Sequence, residues 1–399
     1  MLKKIFLFLV AVSFFITVFS AAEAESPRLG VWITVFSGGK ALHSKSNADR
    51  IVSICKESGI TDIYLQVYRA DKAYYDSSLT DRSAFEKILA SSGEDLIPYF
   101  IELASKNRIR VHAWINLLSL AHNYEANIIK RSGRDVLTFD QKGRPSLSPE
   151  GKDELDRYYS RENQLFLEPG DWRVREYLGE IVQEILIKYP GFYGLHMDYI
   201  RYPTVTPYIP GARFTSHGIS YGYNRMNILN FTKATGLDPR TMDMNRVNAL
   251  LWDKWRRDQV TRFAEYISGK ARNASPSVEI SAAIVPSIEK AYFSTFQNWT
   301  EWLDKKIVDN VVVMNYTDDN DIFRLYTSSL MMRSISEKVQ MGIGAYIMKE
   351  NVPRIKEQVE YLKTISPAGV VIFSYDDIAD NSELKDLLSS AFKRVPPPS

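Results

Sequence analysis

Eight short apolar segments recur along the 399-residue chain, each rich in β-branched or aromatic residues: Leu29–Phe36, Asp62–Tyr68, Ile109–Asn116, Tyr193–Ile200, Val278–Val285, Val308–Tyr316, Gln340–Tyr346 and Gly369–Tyr375. Several are almost continuously apolar, Val311–Met314 most plainly. Strands covered on both faces need that pattern. Between them lie helical periodicities. Val174, Tyr177, Leu178, Ile181, Val182, Ile185 and Leu186 follow i, i+3, i+4 spacing, and shorter stretches do so around Ile51–Cys55 and Tyr99–Ala104. Ser46 and Asp95 are the expected helix-start signals for the first two helices.

Most strand starts are spaced by about 30 residues, the length of one βα unit. Two steps are longer, about 84 residues each, after the third and fourth strands. Eight strands alternating with helices predict a single-domain (β/α)₈ TIM barrel with long insertions after strands 3 and 4. A doubly wound open sheet is the competing arrangement, but no Gly-x-Gly-x-x-Gly or Walker sequence follows any strand. In a barrel the loops after the strand C-termini form the active face. Residues 120–165 and 201–245, rich in Tyr, Arg, Asn, Gly and Pro, are therefore expected to carry substrate contacts.

Charge and composition narrow the function classes. The net charge of +2 and the lack of a basic run argue against a nucleic-acid partner. The 23 Tyr, 19 Phe and 7 Trp suit a carbohydrate site and equally suit a large core. Lys3 and Lys4, the apolar Ile5–Phe19 and Ala22-Glu23-Ala24 read as a signal peptide cleaved after Ala24, with an uncleaved anchor as the alternative. The expectation is a periplasmic or extracellular protein with no membrane span after cleavage. Its domain would cover residues 25–393, followed by a disordered Pro-rich tail, 394–399. The lone cysteine, Cys55, sits in an apolar helical pattern and reads as a small buried hydrophobe.

The densest chemical motif is Gly194-Leu-His196-Met-Asp198-Tyr-Ile-Arg201-Tyr-Pro203. Strand alternation puts His196 and Asp198 on one face, with Asp198 at the rim and the imidazole one layer below. Arg201, just beyond, would keep Asp198 ionised, as suits a nucleophile or general base, and Arg201 and His196 together are expected to tune its charge and orientation. The competing reading is a structural Asp198–Arg201 ion pair. His112, Trp114 and Asn116 share a face of the third strand, with His112 more in character as a core histidine and Asn116 as a rim ligand group. Tyr68, Asn315, Tyr316 and Tyr375 end other strands and, with Trp114 and Asn116, are candidate sugar contacts. Asp318 and Asp376 are candidates for a second carboxylate, whereas Asp319 and Asp377 read as helix caps. Five histidines without a close cluster, and no Gly-x-Ser-x-Gly elbow, weigh against a metal-dependent or serine hydrolase. No metal or cofactor is expected.

Several blocks, in order, resemble the glycosyl hydrolase-like ten family, bacterial and mostly exported glycosidases distinct from the classical family-ten xylanases. They are Gly30-Val-Trp32-Ile-Thr34, His112–Asn116, Leu167-Glu-Pro-Gly170 with Val174-Arg-Glu-Tyr177, Gly194–Pro203, Gln297-Asn-Trp299 with Trp302, Val313–Thr317, Gly342–Tyr346 and Phe373–Asp376. The likeness spans roughly residues 28–385. It implies a (β/α)₈ barrel acting on glycosidic bonds of a cell-envelope or other polysaccharide. Through a distant likeness to the α-amylase superfamily it implies Asp198 as nucleophile. That superfamily has Arg where His196 stands, and a general acid at the end of the fifth strand. Here that strand ends without a carboxylate, Glu279 lying at its other end. Glu168, where relatives show Asp or Asn, is a further candidate. With one strong carboxylate where glycosidases use two, a non-catalytic glycan-binding barrel is the alternative function.

Overall fold

The computed structural model describes residues 28–147, 159–160, 162–206, 219–332 and 335–392. The signal-peptide and tail expectations lie outside these residues.

All eight expected strands form, each within two or three residues of the expected bounds: β1 (Arg28–Ile33), β2 (Asp62–Arg69), β3 (Arg110–Asn116), β4 (Gly194–Asp198), β5 (Glu279–Ile284), β6 (Asn310–Asn315), β7 (Val339–Gly344) and β8 (Gly369–Phe373). They pair in parallel in sequence order, and β1 pairs with both β2 and β8, so the sheet closes on itself. This is a (β/α)₈ barrel. Closure leaves none of these eight strands with an edge open to another chain.

Outside the strands lie α1 (Lys45–Glu57), α2 (Ile97–Lys106), α3 (Trp172–Lys188), α4 (Arg246–Ala274), α5 (Trp299–Asp304), α6 (Asn320–Met331), α7 (Val352–Ile365) and α8 (Ser382–Ala391), with further helices between them. The α3 stripe read from the sequence is the face it buries, and each fully buried aliphatic side chain there contributes about 1.5–3 kcal/mol. Asp171 caps α3 by accepting from the Arg173 N–H. The cap of α1 is Ser44 rather than Ser46: its side chain accepts from Asn47 N at 3.1 Å, so the helix starts earlier than expected. Asp95 does serve α2, accepting from Ile97 N at 3.0 Å. Cys55 is buried in the apolar layer between α1 and the barrel, and burial pushes its thiol far up. No helix among the described residues is long and apolar enough to cross a membrane.

The connection after β3 carries a ribbon, Ser119–Ala121 against Leu165–Phe166, and a short helix, Asn127–Ser132. The connection after β4 carries a helix, Arg225–Thr235, ahead of the 29-residue α4.

Inside the barrel the lowest layer is charged. Asp62 accepts from Arg28, Arg110 and His112, while Arg28 also pairs with Glu279 at 2.8 Å. Burial alone would raise the Asp62 carboxyl, but His112 and Arg28 overcome it and hold it far below the usual carboxylate range. His112 is thus a hydrogen-bonded core histidine, as the sequence suggested. Gly194 makes room for it, since a Cβ there would stand 2.2 Å from His112 Nδ1.

Candidate active site

The upper layer of the barrel is built by the same alternation. On β4, Gly194, His196 and Asp198 point inward in successive layers, and Asp198 lies at the C-terminal end of the strand, where barrel enzymes place their chemistry. Asp198 is 6% exposed. One carboxylate oxygen accepts from Tyr199 N at 2.7 Å and the other from Trp114 Nε1 at 3.3 Å. Burial raises the carboxyl from 3.8 to about 6, against the Tyr199 N–H, the Arg201 charge and the Trp114 N–H, with Glu162 adding to the rise. The carboxylate is therefore mostly ionised at neutral pH yet able to take up a proton near it. Tyr199 holds φ at +56°, a left-handed conformation that costs a bulky side chain about 1–3 kcal/mol.

His196 is fully buried one layer below. Its Nε2 accepts from Trp32 Nε1 at 3.1 Å, so Nδ1 carries the proton and donates to Ser281 Oγ at 2.8 Å. Burial keeps the ring well below its ordinary value, hence neutral. The expectation that His196 tunes the Asp198 charge is corrected: its bonds go to Trp32 and Ser281, and it supports the floor of the site. Trp32 in turn packs against Tyr64, Tyr316 and Phe373 with ring centroids 5.7–6.2 Å apart.

Arg201 is buried but does not pair with Asp198. Its Nη1 lies 2.7 Å from Glu162 Oε1, and its guanidinium stacks on Tyr199 at 4.8 Å. The simple Asp198–Arg201 ion pair is thus absent, and Arg201 acts on Asp198 only through its charge. Trp114 and Asn116 stand where alternation put them. Asn116 Oδ1 accepts from Gln66 Nε2 at 3.1 Å, and Asn116 pairs in register with Asp198. Tyr316 completes a wall with Phe373 at 5.5 Å and Tyr346 at 6.0 Å.

Three expected contacts face away. A register shift between Gln66 and Tyr68 on β2 inverts the alternation. Tyr68 consequently points to the helix layer, where its hydroxyl donates to Asp71 at 2.9 Å beside Tyr177 of α3. Asn315, adjacent to the inward Tyr316, must face outward, and its Nδ2 donates to Phe323 O and Thr327 Oγ1 of α6. Tyr375 lies beyond the end of β8, in a short helix opened by Ser374, and packs near Gly39 and Ile51.

Neither expected second carboxylate is bonded into the Asp198 group. The Asp318 side chain is 66% exposed and faces Arg354 at 3.7 Å. Asp376 accepts from Ser37 Oγ at 2.7 Å at the end of β1. Asp319 and Asp377 are helix caps, as read from sequence. Glu168 is buried behind the site, bonded to the Tyr202 hydroxyl and to Gly170 N, with burial pushing it up to about 7.

Sequence reasoning missed Glu162, left Gln66 out of the candidate contacts, and took Trp32, Tyr346 and Phe373 only as parts of family blocks. Phe373 and Trp32 follow from alternation along β8 and β1. Tyr346 follows a strand end. Glu162 had no local signal, because a long loop delivers it. Among the described residues no cluster of three or more His, Cys, Asp or Glu side chains is arranged to hold a metal ion.

The family model described as Glycosyl hydrolase-like 10 matches residues 28–363. No curated protein matches the chain in sequence. Among solved structures, the PgaB (BpsB) glycoside hydrolase domain of Bordetella bronchiseptica superposes with a TM-score of 0.64 at 13% identity, over 93% of this chain and all of that one. The catalytic domain of β-amylase from Paenibacillus polymyxa gives 0.57 at 11% identity, covering 92% and 99%. A β-galactosidase from Marinomonas ef1 gives 0.54 at 12%, covering 91% of this chain and 59% of that one. At these identities the likeness is one of fold.

Proposed function

We propose, from the premise that this chain belongs to the glycosyl hydrolase-like 10 family, that it is an exported glycoside hydrolase cleaving a cell-envelope or extracellular polysaccharide, with Asp198 either attacking the anomeric carbon as nucleophile or, as general base, taking a proton from the water that attacks it. A buried, ionisable carboxylate at the C-terminal end of β4, beside an aromatic wall, carries this reading. Trp114 Nε1–H and Tyr199 N–H fix the orientation of the carboxylate. Gln66 fixes the Asn116 amide, whose Nδ2 is then directed to sugar hydroxyls. Tyr316, Tyr346 and Phe373 offer ring faces and edges to the apolar faces of sugar rings. No metal or organic cofactor enters the chemistry.

The test is release of new reducing ends by residues 25–399 from a panel of bacterial polysaccharides, peptidoglycan included, beside a folded Asp198→Asn variant. Release that disappears in the variant supports the reading; release by both moves the catalytic group elsewhere. Asp318 and Asp376 are bonded elsewhere, which favours, as a second reading, a barrel that binds glycans without turning them over. Binding without product, little changed in Asp198→Asn, is its signature.

A further inference from the structure

Which carboxylate a buried guanidinium pairs with decides what a neighbouring carboxylate can do. Arg201 follows β4 by three residues, so a pair with Asp198 is the local solution. The structure uses a distant one. Glu162, delivered by the connection after β3, places Oε1 2.7 Å from Arg201 Nη1, and its Oε2 accepts from Thr204 N at 2.9 Å. Arg201 is held further by the rings of Tyr199 and Phe166, at 4.8 and 5.7 Å, and by the Tyr202 carbonyl at 3.3 Å. Both arms of Glu162 thus fasten the β3 connection to the segment just beyond the catalytic strand. Among the described residues the Asp198 oxygens meet only the Trp114 and Tyr199 N–H groups.

We propose that Glu162 is a positioning residue, which takes the direct ion pair with Arg201 and thereby keeps the Asp198 carboxylate free to exchange protons and to meet substrate. A fork-shaped guanidinium laid on Asp198 would occupy its oxygens and hold it ionised. Held by Glu162, the same cation stays near enough for its field to act but off the reacting atoms. The groups that face Asp198 are Trp114 from β3, Tyr316 from β6, Tyr199 and Arg201 from its own connection, and Glu162; His196 beneath is neutral. Of the charges among them, Glu162 raises and Arg201 lowers the Asp198 carboxyl.

This inference rests on the reading of Asp198 as the catalytic carboxylate, but its test is independent of turnover. Asp198 is titrated by NMR in protein labelled with ¹³C at the aspartate carboxyl carbons, its signal assigned by loss in Asp198→Asn. Glu162→Gln, with its fold checked by thermal denaturation, removes a negative charge and releases the guanidinium. The Asp198 midpoint should then fall by about 1–3 units, the range of an Asp beside an Arg. Arg201→Gln should raise it, and Glu162→Asp should restore a value near wild type. If Glu162→Gln does not fold, the Arg201→Gln titration still decides. The acidic limb of kcat/KM, where activity is measured, should move in the same directions. Side chains that merely held the loop would lower stability in both variants without opposite shifts of the midpoint. An unmoved or raised midpoint in Glu162→Gln, or an unmoved one in Arg201→Gln, overturns the proposal. Absence of glycosidase activity with the shifts intact would refute the enzyme reading alone.

Discussion

Replacing Asp198 by Asn should abolish activity and stabilise the fold above neutral pH. In the folded chain burial lifts the Asp198 carboxyl from 3.8 to about 6. That is about 2 units, and at 1.36 kcal/mol each it corresponds to about 3 kcal/mol. The sign follows from proton counting: between pH 3.8 and about 6 the folded state binds the proton and the unfolded chain has lost it. Stability from this group is therefore complete below the lower value and is lost as pH rises through the upper one. Asn cannot ionise and avoids the loss, but its NH₂ replaces one oxygen that accepts from Trp114 or Tyr199, an offset of about 1 kcal/mol. The net expectation at pH 8 is a variant about 1–3 kcal/mol more stable than wild type, or roughly 1–4 °C in Tm for a chain of this length. At pH 4 the difference should have largely vanished. Urea and thermal denaturation of both proteins at the two pH values measure it. A variant less stable than wild type at pH 8, or a difference independent of pH, would refute the account of Asp198 as a carboxylate held against its solvation preference.

The remaining expectations separate scaffold from site. Gly194→Ala should fail to fold, or fold with a large loss of Tm, because its Cβ would stand 2.2 Å from His112 Nδ1 and 2.8 Å from the Glu279 carbonyl; soluble yield and Tm check this. Trp32→Phe leaves the buried His196 Nε2 without its donor and should cost about 1–3 kcal/mol in denaturant unfolding, and an unchanged midpoint would show that the bond is dispensable. Tyr346 is 45% exposed, so Tyr346→Ala should change Tm little while raising KM or weakening glycan binding several-fold, by loss of about 0.5–1.5 kcal/mol of ring contact.

How far the sequence could be read depended on whether the cause was local. Strand alternation is local, and it placed His112, Trp114 and Asn116, then His196 and Asp198, on inward faces that the barrel confirms. It failed where the chain departs from a regular pleat. The irregularity after Gln66 turned Tyr68 outward, and the early end of β8 removed Tyr375 from the pattern. Asn315 and Tyr316 could never both face one side, a contradiction visible in the sequence itself. The Glu162–Arg201 pair joins positions 39 residues apart through a long connection, and no periodicity or spacing encodes such a contact.

The barrel treats two buried aspartates on inward faces in opposite ways, and that contrast separates its two ends. At the bottom, Asp62 meets Arg28, Arg110 and His112, and these partners outweigh burial so thoroughly that it is held ionised. Removing a partner there would strand a buried charge, which makes the layer a structural clasp between β1, β2, β3 and β5. At the top, Asp198 is comparably buried but receives two N–H donors, and the cation nearby among the described residues, Arg201, is taken by Glu162. Burial wins, and the proton affinity rises toward neutrality. A protein selected only for stability would complete the second pair as it completed the first, since the guanidinium is three residues away. The incomplete pairing is confined to the C-terminal end of the strands, beside a ring of aromatic side chains. The same physics that makes Asp62 inert is what the proposed role of Asp198 as the reactive group rests on.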